Sequence, residues 1–293
     1  VFFPPLDPNH PYFALPSQHQ RDLIWSLLGP ALLDCPWSPA TSELLSEANT
    51  WQQWITEIAG APDYRSPRLG LMFEQIWHQY LELCGHRWQA NLQIQQQKKT
   101  VGEFDLLVEN QDSEPQQWHL ELALKFYLGF NHDWIGPNRR DYLADKIRHT
   151  VDRQLQLSRN PAAHEQLRHN NWHSLQPQAL MRGCLFHPAD ESITATLPEE
   201  VNARHWRGYW IHQSSAQRYL PQGHWYLLSK PQWISPARVD FSVDKKTLLR
   251  HKDLHFQHMD TALCAVQVKR NTAGFWCEQQ RWLIMPDQWP QPG

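Results

Sequence analysis

Two segments of the chain carry residues suited to acid–base or metal chemistry. They read Gly102-Glu103-Phe104-Asp105-Leu106-Leu107-Val108 and His119-Leu120-Glu121-Leu122-Ala123-Leu124-Lys125, apolar strand patterns that hold carboxylates and one lysine. Successive strand side chains point to opposite faces. That period places Phe104, Leu106 and Val108 on one face of the first strand and Glu103, Asp105 and Leu107 on the other. On the second strand Leu120, Leu122, Leu124 and Phe126 share a face, and His119, Glu121, Ala123 and Lys125 share the opposite one. Paired as a hairpin, the strands bring two or three carboxylates and an ammonium onto one patch, where like charges repel unless a cation neutralises them. A divalent metal ion is the simplest such cation.

The flanking sequence supplies elements to hold that patch. Ser17 is placed to cap a short helix carrying Leu23, Ile24, Leu27 and Leu28, and Thr41 or Ser42 opens a second helix with Leu44, Leu45, Ala48, Trp51, Ile55 and Ile58 at helical spacing, ended by Gly60. Ser66-Pro67 gives a cap and a first-turn proline for a helix through Cys84, with Phe73, Ile76, Trp77, Tyr80 and Leu81 as its apolar stripe and Glu74 beside it. Trp88, Ala90, Leu92 and Ile94 alternate as a strand, Lys98-Lys99 turns the chain, and the two charged strands follow. From Asn138 to about Arg159 the period is helical again. Beyond Asn170-Asn171 the pattern is mainly of strands, around 183–186, 209–211, 225–228, 265–268 and 274–277, with a helix over 245–258.

Helix, three strands, helix, with a glutamate on the first helix, Gly-Glu-hydrophobic-Asp on the second strand and a glutamate on the third, resembles the PD-(D/E)XK nuclease superfamily. Glu74, Asp105 and Glu121 match its three acidic positions. More narrowly, Arg68-Leu69-Gly70-Leu71-Met72-Phe73-Glu74, Gly102-Glu103-Phe104-Asp105 and the 119–129 block look like a family of uncharacterised bacterial proteins within or near that superfamily. So do Arg182-Gly183-Cys184-Leu185-Phe186, Arg207-Gly208-Tyr209-Trp210 and Trp282-Leu283-Ile284-Met285-Pro286. One departure stands out: the superfamily lysine two residues after the glutamate is Ala123 here, and Lys125 follows two residues later on the same strand face, ~6.5 Å further along.

The resemblance implies an α/β protein with a restriction-endonuclease-like core (helix, mixed sheet, helix), N-terminal helices and a C-terminal β-containing module. The implied division is residues 1–65 as an N-terminal helical segment, 66–170 as the nuclease-like core and 171–293 as a basic, aromatic-rich α+β module. It implies a metal-dependent phosphodiesterase acting on nucleic acid, with Mg²⁺ or Mn²⁺ held by Asp105, Glu121 and the Leu122 carbonyl, and by Glu74 through water. Lys125 would orient the nucleophile or stabilise the transition state. Glu103 and His119 would support the ligands, and Arg139, Arg140 and Lys146 would meet the substrate. A second reading stays open: a catalytically inactive nuclease-like module that binds nucleic acid or protein. A charged strand face is also the solvated side of many hairpins, and Arg139 to Arg159 also read as an exposed helix face with Asp141, Asp145 and Asp152 in intrahelical pairs.

Composition narrows the remaining classes. With 41% hydrophobic residues and 16 Trp in 293 residues the chain has ample core and is not disordered. Its five cysteines are scattered without a Cys-x-x-Cys pair, and its 17 histidines show no zinc-protease spacing, so neither a disulfide framework nor a zinc site is indicated. No apolar run approaches a membrane span, and Val1-Phe2-Phe3-Pro4-Pro5 lacks the basic start of a signal peptide, so the expected compartment is the cytoplasm. The net charge of −3 hides an asymmetry: residues 201–293 carry 12 Lys and Arg against 6 Asp and Glu, whereas residues 1–200 carry 15 against 24. A basic part beside an acidic patch suits an anionic polymer.

Overall fold

The computed structural model describes residues 5–39, 44, 64 and 66–291. The helix expected over 41–60 lies outside them, apart from Leu44. Helix α1 (Gln18–Leu28) opens on Ser17 in a reciprocal capping box, with Gln20 N–H donating to Ser17 Oγ and Ser17 N–H to Gln20 Oε1, each at 3.1 Å. Helix α2 (Leu69–Leu83) starts later than the Ser66-Pro67 signal. The Ser66 hydroxyl accepts from Arg68 N–H, only two residues on, and so closes a local turn ahead of the helix. Gly85, at φ +67, follows its end as expected.

The strands join one mixed sheet. They are β1 (Arg87–Gln96), β2 (Lys99–Glu109), β3 (Gln117–Phe130), β4 (Asp133–Ile135), β5 (Leu175–Pro188), β6 (Trp206–His212), β7 (His224–Leu227), β8 (Arg238–Val239), β9 (Val243–Asp244), β10 (Leu263–Arg270) and β11 (Trp276–Met285). Their order is β1-β2-β3-β5-β6-β11-β10-β7-β9, with β4 on β3 and β8 on β11. The β3–β5, β5–β6 and β6–β11 pairs are parallel and the others antiparallel. β5, which follows residue 170 in the chain, lies directly against β3 in this sheet. The strand expected from Gly274 begins at Trp276, since Gly274 N–H closes a turn on the Asn271 carbonyl and Phe275 N–H binds Asn271 Oδ1.

The helical stretch expected from Asn138 begins at Leu143. Residues 136–141 form a tight loop, closed by Gly136 N–H to the Asp141 carbonyl at 2.6 Å and Arg139 N–H to the Gly136 carbonyl at 2.9 Å. Arg139 and Arg140 therefore precede the helix. Helix α3 (Leu143–His149) passes into a π-helical turn, Thr150–Gln154, and a 3-10 turn, Leu157–Arg159. Helix α4 (Pro161–His169) was not anticipated, although Asn160, accepting from Ala162 N–H at 3.0 Å, and Pro161 in the first turn are its sequence signal. Helix α5 (Lys245–His258) matches the expected span. Among the described residues no helix is long and apolar enough to cross a membrane.

Around β3 the layers are helix, sheet, helix. One face packs Leu106, Val108, Leu120, Leu122 and Leu124 against α1 and α2 through Leu23, Phe73, Ile76 and Trp77. The other packs Ala123, Tyr127 and Met181 against Leu143 and Ile147 of α3. Phe104 departs from the expected alternation. It joins Leu107 beneath Ala163 and Leu167 of α4, away from Leu106 and Val108. The strand is irregular at Asp105, and Asn91, opposite it between the Ala90↔Leu106 and Leu92↔Phe104 pairs, has φ +54.

Gly183 sits opposite Lys125 in the β3–β5 ladder at φ +138, and a Cβ there would lie 1.7 Å from the Lys125 carbonyl oxygen. Neither a positive φ nor backbone that close tolerates a side chain. Gly183→Ala is therefore expected to destabilise the fold by roughly 3 kcal/mol or more, read as a lowered denaturation midpoint or loss of soluble protein.

Candidate metal centre

The site forms where two strands part. β2 and β3 pair only from Leu106↔Leu120 to Glu109↔Gln117, and β4 joins the same edge of β3 at Leu128. Between them the edge of β3 lacks a ladder partner. Leu122 N–H, which faces this gap, donates instead to Asp105 Oδ2 at 3.1 Å. A strand residue directs its N–H and C=O to the same edge, so the Leu122 carbonyl faces the gap too.

Glu121 is 2% exposed and fully engaged. Its Oε1 lies 2.9 Å from His119 Nε2, and its Oε2 accepts from Gln154 Nε2. Asp105 and Glu121 are within hydrogen-bonding reach of one another. Burial, then the neighbouring Glu121 charge, pushes Asp105 up to about 7. Burial likewise pushes Glu121 up to about 7, against the opposing pull of Lys146. Glu74, on α2, also rises to about 7, from burial and then the charges of Asp105 and Glu103. Three carboxyls thus sit in one electrostatic environment that disfavours their anionic forms.

The surrounding groups divide into those that serve this cluster and those that do not. Burial lowers His119 to about 4, so its imidazole is neutral, edge-on to Phe104 with ring centroids 4.6 Å apart and hydrogen-bonded through Nε2 to Glu121 Oε1. Glu103 is exposed and accepts from Gln93 Nε2 at 2.8 Å. Lys125 turns away from the carboxylates: its Nζ lies 2.7 Å from Asp141 Oδ2, whose Oδ1 accepts from Tyr127 OH at 3.2 Å. Asp141 is therefore a partner across the loop, not within a helix. Lys146, by contrast, points from α3 toward the cluster. It donates to Gln154 Oε1 at 2.7 Å, and the charges of Glu121 and Asp105 oppose the lowering of its pKa by burial and by Lys125. Arg139 is 3.9 Å from Asp260, and Arg140 is exposed.

Gln154 was missed in the sequence. Its two amide ends bond Lys146 and Glu121, and the π-helical turn that carries it is a form often found at functional sites. The spacing of eight from Lys146, about two helical turns, was the available signal. Tyr127 on β3 and Trp134 on β4 are buried in the core.

The donor set is two carboxylates, one free strand carbonyl and a third carboxylate within electrostatic range. Among the described residues no three His, Cys, Asp or Glu side chains close on one point as a preformed cage. Oxygen donors in this number fit a hard dication that keeps several waters, as Mg²⁺ does, and not a zinc cage. None of the five cysteines, all among the described residues, is in a disulfide.

Fold and site together define a mixed α/β protein with an acidic cluster at a parted strand edge. A family model described as a domain of unknown function (DUF1853) matches residues 21–285, and the chain belongs to that family. No curated protein and no solved structure matches it.

The raised carboxyls carry a pH consequence. Because the folded state holds Asp105 and Glu121 protons up to about 7 while the unfolded chain releases them near 4, the native state binds more protons across that window, and stability falls as pH rises through it. In EDTA, Asp105→Asn is expected to match the wild-type melting temperature near pH 5 and exceed it by ~2 °C or more at pH 8, measured by differential scanning fluorimetry.

Proposed function

We propose that the chain is a divalent-metal-dependent phosphodiesterase acting on nucleic acid, on a restriction-endonuclease-like core. The observation that carries this reading is the trio Glu74, Asp105 and Glu121, each with its carboxyl raised to about 7, beside an unpaired strand edge and the half-buried Lys146. Uncompensated buried carboxylates destabilise a fold, so their convergence favours a function that uses a cation.

Asp105, Glu121 and the Leu122 carbonyl would hold Mg²⁺ or Mn²⁺. When bound, the dication supplies Lewis acidity and charge neutralisation for hydrolysis of a phosphodiester. Glu74, titrating near neutrality, would take the proton of the attacking water as its oxygen bonds to phosphorus and the P–O bond to the leaving oxygen breaks. Lys146, steadied by Gln154, would stabilise the charge on the phosphate oxygens. In this account Lys146 takes the part that the sequence resemblance gave to Lys125, because Asp141 already holds the Lys125 ammonium. The positive balance of residues 201–293 supports attraction of a polyanion.

The sequestered Lys125 is the one observation favouring the inactive, binding-only reading. The two are separated by combining calorimetry with cleavage. Asp105→Ala and Glu121→Ala are each expected to abolish Mn²⁺ binding and cleavage of single- and double-stranded substrates. Lys146→Ala is expected to lower cleavage ~100-fold with metal affinity nearly unchanged, and Lys125→Ala to have a much smaller effect. Metal binding unaffected by both carboxylate variants would overturn the proposal, and metal binding without cleavage would leave a binding module.

A further inference from the structure

A cavity of about 750 Å³ opens beside the parted edge of β3, lined on one side by Lys125, Phe126 and the 136–141 loop and on the other by Lys230, Trp233 and Trp289. We infer that this cavity takes one or two unpaired nucleotides of a single strand adjoining the phosphate to be cut, so that the substrate is single-stranded nucleic acid or a frayed end. The inference rests on the phosphodiesterase reading of the neighbouring carboxylates. Size is the first argument: the volume falls within the ~300–1,000 Å³ of sites that enclose a small molecule. A base-paired duplex, whose major groove alone is ~12 Å wide, does not enter a space of that class.

Position is the second argument. The lining begins at Leu124, two residues or ~6.6 Å along β3 from Leu122, a stride that one extended nucleotide spans. The electrostatics are also continuous: Lys146 feels Lys125 and Asp141 of the cavity wall as well as Glu121 and Asp105 of the cluster. A strand threaded past the carboxylates therefore enters the cavity next.

Chemistry is the third. Phe126 and Trp233 meet edge to face with centroids 5.5 Å apart, and aromatic surfaces of this kind hold bases without regard to sequence. At the rim, the exposed Lys230 makes no ion pair among the described residues. Arg139 stands over the cavity at φ +64, and its 3.9 Å contact with the mostly exposed Asp260 is one that a phosphate displaces readily.

The test uses the full chain in EDTA, so that binding is read apart from cleavage. Fluorescence anisotropy would compare a short oligothymidylate, an oligouridylate and a blunt duplex on the wild type, Asp105→Ala, Lys230→Glu and Trp233→Phe. The expected result is tighter binding of the single strands than of the duplex, retained in Asp105→Ala. Lys230→Glu, at an exposed position that folding does not need, should weaken single-strand binding ~10-fold and flatten its salt dependence by about one phosphate contact. Trp233→Phe, which keeps an aromatic ring but shrinks its stacking surface, should weaken it less. Single-strand binding with this pattern, but no cleavage in Mn²⁺ or Mg²⁺, would keep the subsite and overturn the phosphodiesterase. Equal binding of duplex and single strand, or affinity indifferent to Lys230→Glu and Trp233→Phe, would overturn the subsite even in a protein that cleaves. So would no binding at all.

Discussion

The constraint on which the site depends is the unpaired stretch of β3 between Leu120 and Leu128. A strand edge without a neighbour leaves N–H and C=O groups unsatisfied, and burying them is unfavourable. The Asp105 carboxylate answers one of them by accepting from Leu122 N–H. That arrangement falls where the Asn91–Asp105 position drops out of the β1–β2 ladder, with the register kept on either side, Phe104 on the other face and Asn91 at φ +54. It also fixes Asp105 beside Glu121, where burial and like charge raise both carboxyls. A local backbone problem and an electrostatic one therefore share a single location, and a bound cation relieves the second while leaving the first as it is.

The two sides of the neighbouring cavity are held by contacts far from the carboxylates. Arg281, fully buried on β11, bonds both Glu278 oxygens at 2.8 and 2.7 Å, and also the Trp233 and Ser235 carbonyls at 2.6 and 2.8 Å. Its guanidinium thus anchors the segment that presents Trp233. From the N-terminal side, Asp22 accepts from Ser235 Oγ at 2.6 Å, and Arg238 donates to the Phe13 and Pro16 carbonyls. Residues before α2 and residues after β7 therefore brace one wall together. Removing either partner of the Arg281–Glu278 pair would leave a buried charge alone, which is far more destabilising than the pair is stabilising.

Much of this was legible in the sequence because period and punctuation are local. Ser17 as a cap, the alternation in β1 and β3, the end of α2 before Gly85 and Lys245–His258 as a helix all depend on neighbours within a few residues. What was not legible depends on distant partners. The change of face at Asp105 lies next to the end of the β2–β3 ladder at Leu106↔Leu120. The orientation of Lys125 follows from Asp141, brought near by the 136–141 loop, and the same loop excludes Arg139 and Arg140 from the helix. Lys146 was read, with Arg139 and Arg140, as a residue that meets the substrate, not as a partner of the carboxylates. Its turn toward Glu121 follows from Leu143 and Ile147 packing on Ala123 and Tyr127, a tertiary contact that no spacing rule encodes.

The central claim is that the gap beside Leu122 is a cation site. Anomalous diffraction from crystals soaked in Mn²⁺ at pH 8 tests it most directly, because it locates the ion without assuming any activity. A peak within coordination distance of Asp105, Glu121 and the Leu122 carbonyl is expected, with Glu74 reached through water. Full occupancy elsewhere, with no peak in that gap, would contradict it.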